Sequence, residues 1–257
     1  MDRASLYRLY WKLQPAIAPG LEDSQLTYEK VIAHYAAGAE RWLDVGCGQH
    51  LLPPWRTEQE VRLVSRAKQV IGIDYDQLSL EKHKTIANLV RGDISDLPFL
   101  DGTFDLVTSN MVFEHLICPE QQLQEISRVL APGGRLVFHT PNKFGYATLI
   151  ARMVPESLKD KLILFFQGRT EEDVFPAFYR INTKKRICEL AARAGFSRIE
   201  IEQTCGFAQF VVIPPLAVLE LLWIRFLMSR PGRGLRPYLI ATLVKEGSPC
   251  RYSGRLH

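Results

Sequence analysis

Short apolar runs alternate with helical segments over most of the chain. Residues 41–45 and 69–74 are mainly apolar without strict alternation, which is typical of strands covered on both faces, and 104–110 contains the shorter apolar group Phe104, Leu106 and Val107. Between such runs, apolar residues recur at helical spacing, as in 120–130. Strands that alternate with helices favour a mostly parallel sheet. The pattern therefore predicts an α/β fold around one central sheet.

The same pattern predicts where the individual elements lie. We expect strands at 41–45, 69–74, 88–91, 104–110, 198–203 and 238–245, and a further strand that follows the turn at Pro132 and ends near His139. We expect helices at 6–12, 26–39, 57–67, 77–87, 120–130 and 184–194. Pro15, Pro19 and Gly20 are expected to break the chain after the first helix.

The regular pattern is lost between residues 141 and 180. Prolines divide this segment into short amphipathic stretches, among them 158–166, which precedes the polar run 168–173. An insertion after the fifth strand lies over the carboxyl edge of the sheet. We therefore expect it to cover a substrate there.

A second unusual segment, 207–228, contains only Glu220 and Arg225 as charged residues. Two prolines divide it, and the helix after them is expected to span about 13 residues or roughly 20 Å, whereas a bilayer core needs about 30 Å. Such a helix does not span a membrane. Its aromatic residues and the nearby arginines suit an interfacial helix on anionic lipid or a lid over an apolar substrate; the alternative is a helix buried in the core or in a dimer. These residues are Trp223, Phe226, Arg225, Arg230, Arg233 and Arg236.

Charge and cysteine content narrow the function classes. The formal net charge of +4 is uneven, because residues 225–257 hold seven Lys or Arg and one acid. This tail could meet phosphate groups of a membrane or a nucleic acid, or it could be solvated surface. The five cysteines include no C-x-x-C pair, so no metal site or disulfide framework is implied. Because the N-terminus lacks a signal-peptide pattern, we expect a cytoplasmic protein, with membrane association left open.

Candidate chemistry begins at the first predicted strand, which runs into a turn with two glycines. Gly46 and Gly48 let the backbone turn sharply and let a ligand lie against it. Asp44 lies near the end of this strand, where open α/β sheets bind ligands. The second predicted strand ends at Asp74, and an acid there can accept both hydroxyls of a ribose.

Further motifs follow in order: Leu97-Pro98-Phe99, Phe104-Asp105-Leu106-Val107 and Leu130-Ala131-Pro132-Gly133-Gly134. Together with Leu43-Asp44-Val45-Gly46-Cys47-Gly48 they make 41–142 resemble the class I S-adenosylmethionine-dependent methyltransferases, in particular the type 11-like small-molecule group. The resemblance implies a Rossmann-like, seven-stranded, mostly parallel, doubly wound sheet with an antiparallel last strand and helical cap insertions. It implies S-adenosylmethionine as cofactor.

The resemblance also implies the residues that hold this cofactor. Asp93 is expected to bind the exocyclic amine of the adenine, and Ile94 to lie against the purine. The full expected set is Asp44, Gly46, Cys47 through its backbone, Gly48, Asp74, Tyr75, Asp93, Ile94 and Asn110. His50 stands where the family usually has a third glycine, which puts close packing over the methionine end of the cofactor in doubt.

Within this frame we expect a single domain over 1–257. Its parts are an N-terminal helical cap at 1–40, a cofactor-binding core at 41–142, a cap insertion at 143–182 and a C-terminal part at 183–257 that carries the apolar insertion 207–236.

Methyl transfer from a sulfonium is an in-line displacement, so alignment can supply most of the catalysis. An alcohol or phenol acceptor also benefits from a general base, and the candidates are His115 and His139. Tyr10, Tyr146 and Tyr179 are candidates for orienting an acceptor, although aromatic residues more often serve packing.

The favoured hypothesis is a methyltransferase for a small, apolar or lipid-linked acceptor, such as a quinone precursor, a lipid or a glycolipid sugar. A nicotinamide-dependent dehydrogenase fits poorly, since Gly48 is followed by Gln49-His50-Leu51 and not by the x-x-Gly of a dinucleotide turn. A non-catalytic scaffold that binds a membrane or partner through 207–236 stays open. A nucleic-acid substrate is disfavoured because Asn110-Met111-Val112-Phe113 is no base-methylation motif. The oligomeric state is open.

Overall fold

Seven strands pair into one sheet in the computed structural model, which describes residues 2–154 and 176–247. The strands are β1 (Arg41–Val45), β2 (Gln69–Asp74), β3 (Asn88–Arg91), β4 (Phe104–Asn110), β5 (Leu130–Pro141), β6 (Phe196–Thr204) and β7 (Tyr238–Lys245). Their order across the sheet is β3-β2-β1-β4-β5-β7-β6. The pairs from β3 to β5 are parallel, and β7 is antiparallel to both β5 and β6. The predicted Rossmann-like sheet with an antiparallel last strand is therefore confirmed.

Helices cover both faces of this sheet. They are α1 (Arg3–Ile17), α2 (Ser24–Ala36), α3 (Thr57–Val64), α4 (Gln77–Lys82), α5 (Pro119–Val129), α6 (Tyr146–Met153), α7 (Lys184–Arg193) and α8 (Pro214–Met228). The α2 side of the sheet buries Tyr28, Ile32 and Trp42. The side that carries α5 and α7 buries Leu123 and Ile187. Two apolar clusters thus hold the sheet between its helices.

Several helices differ in length from their predictions, and α1 and α4 differ most. Helix α1 was expected to break at Pro15, yet it continues to Ile17, because a proline in the last turn removes a single donor and Ala18 N–H still bonds to Gln14 O at 2.8 Å. Helix α4 was expected to reach residue 87 but ends at Lys82. The ring of His83 accepts backbone N–H groups of Thr85 and Ile86, which stabilises an extended exit from the helix.

Two other elements begin earlier than predicted. The proline and two glycines expected to form a turn before the fifth strand lie inside β5, where the pairing with β4 shifts register and Gly133 has a φ of +78°. The two prolines expected to precede the apolar helix form the first turn of α8, where a missing N–H costs little. Helix α8 therefore has 15 residues, about 22 Å.

The stretches 158–166 and 168–173 lie outside the described residues.

Helices α1 and α8 pack together at the carboxyl edge of the sheet. A third apolar cluster joins Tyr10 of α1 to Leu221, Ile224 and Leu227 of α8. The loop 205–211, which leads from β6 toward α8, contributes three residues to the same cluster: Cys205, Ala208 and Val211. We call α1, α8 and this loop the two-helix cap.

Candidate functional site

The glycine turn after β1 is built by the backbone. Gly46 and Cys47 N–H both donate to Ile73 O, at 2.8 and 3.2 Å, which ties the turn to β2. Gly46 has a φ of +70°, and a Cβ there would lie 2.5 Å from a methyl group of Val112. Gly48 has a φ of +49°, and a Cβ there would meet nothing within 4 Å. The first glycine is thus required by packing, and the second leaves open space above the turn.

Acidic residues follow the next two strands at the same edge. Asp74, half-buried at the end of β2, accepts from Gly48 N–H at 2.8 Å and from Asp76 N–H at 2.9 Å. Asp93 is exposed just beyond β3 and accepts from Ser95 N–H at 2.7 Å, and Ile94 beside it is half-buried. Tyr75 is 59% exposed. The structure therefore brings an open glycine, two accessible acids and two apolar side chains to one edge.

Two other residues of the predicted cofactor set have buried side chains. Asp44 accepts from Thr108 Oγ1 at 2.5 Å, and Trp42 Nε1 donates to the same hydroxyl at 2.7 Å. Burial raises the pKa of Asp44 well above its ordinary value. Cys47 is also buried and packs where a Cβ on Gly72 would stand, and burial raises the pKa of its thiol. Both side chains support the turn from within.

Asn110 links the end of β4 to its neighbours. Its Nδ2 donates to Gln25 Oε1 at 3.0 Å and to Leu51 O at 3.2 Å, and its Oδ1 lies 3.0 Å from His139 Nδ1. Since an amide oxygen only accepts, His139 carries its proton on Nδ1. Its ring lies 5.6 Å from that of Tyr28 and is fully buried, and burial lowers its pKa to about 3. His139 is therefore a neutral interior residue without a route to solvent.

His115 lies in a different setting, in the short helical turn Phe113–His115 after β4. Its side chain is 30% exposed. His115 Nδ1 is 2.9 Å from Pro176 O, so Nδ1–H donates to that carbonyl. His115 Nε2 lies 3.8 Å from Glu114 Oε1. This ring can take up a proton on Nε2 from a group at the carboxyl edge.

Glu114 is the buried partner of this histidine. Its Oε2 accepts from Thr140 Oγ1 at 2.9 Å, and Asn182 Nδ2 donates to the same threonine at 2.6 Å. Burial raises the pKa of Glu114. The backbone oxygen of Glu114 accepts from Tyr179 N–H at 3.1 Å, and Tyr179 has a φ of +52°. Burial, followed by the charge of Glu114, raises the pKa of the half-buried Tyr179.

Tyr10 and Tyr146 hold the loop of the two-helix cap. Tyr10 Oη accepts from Ala208 N–H at 3.1 Å, and burial raises its pKa to about 12. Tyr146 Oη donates to Glu220 Oε1 at 2.7 Å, and burial raises its pKa. Glu220 also accepts from Gln209 N–H at 2.8 Å and from Phe210 N–H at 2.9 Å. These two tyrosines are therefore occupied with the loop, whereas Tyr179 stands beside the Glu114–His115 pair.

Sequence reasoning missed the acids that organise these clusters. Glu220 was recognised as a rare charge in an apolar segment but was given no role, and Glu114 was passed over beside its histidine. Their isolation among apolar residues is the available signal, since a buried acid requires partners. Thr140 and Asn182 carry no such signal, because their partners lie 26 and 42 residues away.

The residues at this edge fit an adenosyl cofactor. The position of a Gly48 Cβ is open space, the Asp74 carboxylate lies against the same turn, and Asp93 is accessible one strand further. These are the features that a ribose and an adenine require of an open α/β sheet.

Comparison with known proteins identifies the family. A family model described as a methyltransferase domain matches residues 43–138. The chain is 30% identical over 178 residues to a demethylmenaquinone methyltransferase of Staphylococcus carnosus, which covers 64% of this chain and 70% of that protein. It is 28% identical over 198 residues to a protein of Mycolicibacterium smegmatis named a probable S-adenosylmethionine-dependent methyltransferase, which covers 73% of this chain and 65% of that protein.

A solved structure agrees in fold. The S-adenosylmethionine-dependent methyltransferase of Mesorhizobium loti superposes with a TM-score of 0.53 at 19% identity, over 85% of this chain and 96% of that one. The chain spans between 44% and 65% of the length of several curated relatives that it matches. The chain thus belongs to the class I S-adenosylmethionine-dependent methyltransferases, and its cofactor is S-adenosylmethionine.

Proposed function

We propose that this chain transfers a methyl group to a small, apolar or lipid-linked acceptor. The observation that carries the proposal is the carboxyl edge itself, where the open Gly48 turn and Asp74 share one sheet edge with the Glu114–His115 pair. The name of the Staphylococcus carnosus relative, a demethylmenaquinone methyltransferase, supports a quinone-like acceptor.

Asp74, Asp93, Ile94 and the Gly48 backbone would hold the cofactor, with Asp74 on the ribose and Asp93 on the adenine amine. The bound cofactor supplies an electrophilic methyl group on a sulfonium. The chain has to align the acceptor in line with that methyl group, because proximity and orientation supply most of the rate.

His115 is the base that we propose for this reaction. Its Nδ1–H donates to the Pro176 carbonyl, which fixes the tautomer in which Nε2 is the basic nitrogen, and Nε2 would take the proton that a hydroxyl or amine acceptor releases. The buried Glu114 carboxyl lies 3.8 Å from this nitrogen. His139 has neither the exposure nor the basicity for this role, since burial lowers its pKa to about 3.

The acceptor class is tested with labelled S-adenosylmethionine and fractionated cell extract. Transfer of label into the organic phase is expected for an apolar or lipid-linked acceptor, and transfer into the aqueous phase alone would contradict that part of the proposal. A non-catalytic scaffold would bind the cofactor and transfer no label to any fraction.

The base is tested with His115→Gln once a labelled product is found. We expect a rate about 100-fold lower with unchanged cofactor affinity, because general-base catalysis contributes this order of magnitude. His139→Gln is the matched control and should retain the pH profile of the wild type. An unchanged rate in His115→Gln would remove this base.

Cofactor binding is tested by calorimetry on Asp74→Ala. We expect a loss of about 1.5 to 3 kcal/mol of binding free energy, the range for hydrogen bonds to a charged group. Asp101→Ala removes an exposed acid from the turn before β4 and should leave the affinity unchanged. Equal affinities in all three proteins would exclude Asp74 from the site.

A further inference from the structure

We infer that the outer face of the two-helix cap docks on an anionic membrane surface. This inference goes beyond the proposed methyl transfer and concerns a surface that none of the predicted cofactor residues contributes to. It rests on the arrangement of exposed apolar and cationic side chains on α1 and α8.

Helix α8 is apolar on both of its faces. Leu221, Ile224 and Leu227 are buried against α1 and the loop 205–211. The opposite side carries an exposed apolar stripe, in which Leu219 is 62% exposed and Leu222 is 51% exposed. The stripe consists of Leu216, Leu219, Leu222, Trp223 and Phe226, which lie on one side of the helix at 100° per residue. A group of five large, exposed apolar side chains on one side of a helix is typical of an interaction surface.

The exposed charges of the two helices are almost all positive. Helix α1 presents Arg3, Arg8 and Lys12, and it contains no acidic residue between Arg3 and Ile17. Helix α8 presents Arg225, and Arg230 follows two residues after its end. The acids nearby are Asp2, which caps α1, the half-buried Asp23, which accepts from Phe207 N–H, and Glu220, which is buried. The cap therefore offers an apolar stripe next to exposed cations, which suits anionic lipid headgroups over acyl chains.

Two of the four arginines expected to meet lipid have other partners. Arg236 donates to the backbone oxygens of Leu227, Gln203 and Met228, at 2.8 to 2.9 Å, so it caps the C-terminus of α8. Arg225 donates to Ile17 O at 3.1 Å, although it stays exposed. In the proposed membrane-binding surface, the exposed cations of α1 therefore take the role that the sequence had suggested for Arg236.

The charge pattern disfavours the other occupants of this face. A symmetric dimer through the stripe would bring the cations of two copies together, which costs several kcal/mol of repulsion. A nucleic acid would leave the apolar stripe uncovered, since most of its contacts go to phosphates. Across residues 2–154 and 176–247, no helix has both the length and the apolar character needed to cross a bilayer. Contact in the plane of the interface is the arrangement that satisfies both the stripe and the cations.

Vesicle co-sedimentation tests the inference with the full chain. Wild type is expected to bind vesicles of phosphatidylcholine with about 30% phosphatidylserine at about 0.05 M salt, and to be released at about 0.5 M salt or with phosphatidylcholine alone. No binding to the anionic vesicles at low salt would overturn the inference.

Variants separate the stripe from the cations. Leu219→Gln combined with Leu222→Gln and Phe226→Gln should abolish binding, whereas Val61→Gln with Leu100→Gln, which changes exposed apolar residues elsewhere, should not. Arg8→Gln and Lys12→Gln should each weaken binding about fivefold. Lys184→Gln with Lys185→Gln, on the exposed face of α7, is the matched charge control. A stripe variant that binds like wild type would overturn the inference.

Tryptophan fluorescence reports where contact occurs. The spectrum should shift to the blue on anionic vesicles. This shift should be reduced in Trp223→Phe and lost when Trp11→Phe is added, since both tryptophans are exposed on the cap, but it should be kept in Trp55→Phe, since Trp55 is exposed outside the cap. Sedimentation without lipid tests the alternative: a dimer that the stripe variant dissociates would overturn membrane docking. Each variant is also titrated with S-adenosylmethionine, so failure of docking with intact cofactor binding leaves the proposed function standing.

Discussion

The glycine turn and the two-helix cap lie at the same edge of the sheet but are built in different ways. The turn is formed by a few consecutive residues whose backbone bonds directly to β2. The cap is held by side chains that bond to backbone far away in the chain: Tyr10 to Ala208 across 198 residues, and Asp23 to Phe207 across 184. The glycine turn is therefore held by local contacts, and the two-helix cap by contacts between residues far apart in the sequence.

Because one region is held by local contacts and the other by long-range contacts, the two regions suit different roles. A local turn keeps its shape wherever the strand before it is paired, so it suits the part of the site that holds the cofactor. The two-helix cap depends on every element that its long-range hydrogen bonds join, so a change in the cap need not alter the glycine turn. We therefore expect cofactor binding to respond to single residues of the turn, and stability of the cap to respond to Glu220.

The largest effect is expected at Gly48. Gly48→Val should abolish cofactor binding, a loss of more than about 3 kcal/mol, because its side chain fills the open space above the turn. Its positive φ should cost only about 1 to 2 kcal/mol of folding free energy. Calorimetry with S-adenosylmethionine and thermal unfolding measure the two quantities.

Gly46→Ala is the matched variant, because its new Cβ would lie 2.5 Å from Val112. It should lose about 1 to 3 kcal/mol of folding stability through overpacking. Losses of binding and of stability that are equal in size in Gly48→Val would show instead that Gly48 serves the fold alone.

A smaller effect is expected at Glu220, which accepts from two backbone N–H groups and from Tyr146. Glu220→Ala leaves these donors unpaired and should lower the free energy of unfolding by about 2 to 3 kcal/mol, while Tyr146→Phe removes one bond and should cost about 1 kcal/mol. Urea unfolding measures both. Loss of cofactor affinity in Glu220→Ala without loss of stability would contradict a purely structural role of Glu220.

Much of the sheet could be predicted from the sequence because buried strands contain short apolar groups, such as Val70, Ile71 and Ile73 in β2 and Phe104, Leu106 and Val107 in β4. The errors lie where a side chain or a pairing overrides the local pattern. His83 ends α4 early by accepting two backbone N–H groups, and the pairing of Leu130 with Phe104 draws Pro132 and its glycines into β5. Neither contact can be seen in the spacing of apolar residues.

The candidate site divides in the same way. Gly48, Asp74 and Asp93 could be predicted because each follows a strand directly and parallel strands end at one edge. Tyr10 and Tyr146 were predicted to orient an acceptor, but their hydroxyls bond to the loop 205–211 and to α8. These partners are far away in the sequence and come close only through tertiary packing. Asp44 and Asn110 likewise have buried or half-buried side chains bonded to other strands and loops.

The last predicted effect concerns His139, which belongs to neither region and is fully buried. Burial lowers its pKa to about 3, whereas the pKa of an unfolded histidine is about 6.5. As the pH falls below about 6.5 the unfolded chain takes up a proton that the folded chain does not, so the stability present above that pH is lost toward pH 3. We expect this residue to cost about 2 kcal/mol of folding free energy between pH 7 and pH 5.

The measurement is the difference in unfolding free energy between wild type and His139→Gln at pH 7 and at pH 5, obtained from urea titrations. The difference cancels the titration of other groups, including Glu114, Glu220 and Asp44, whose raised pKa values act in the opposite direction because the folded state holds their protons at higher pH. His34→Gln removes an exposed histidine of α2 outside this buried cluster and is compared with the pH slope of the wild type. If His139→Gln keeps the slope of the wild type, His139 is accessible to protons in the folded state, and its exclusion as a base no longer holds.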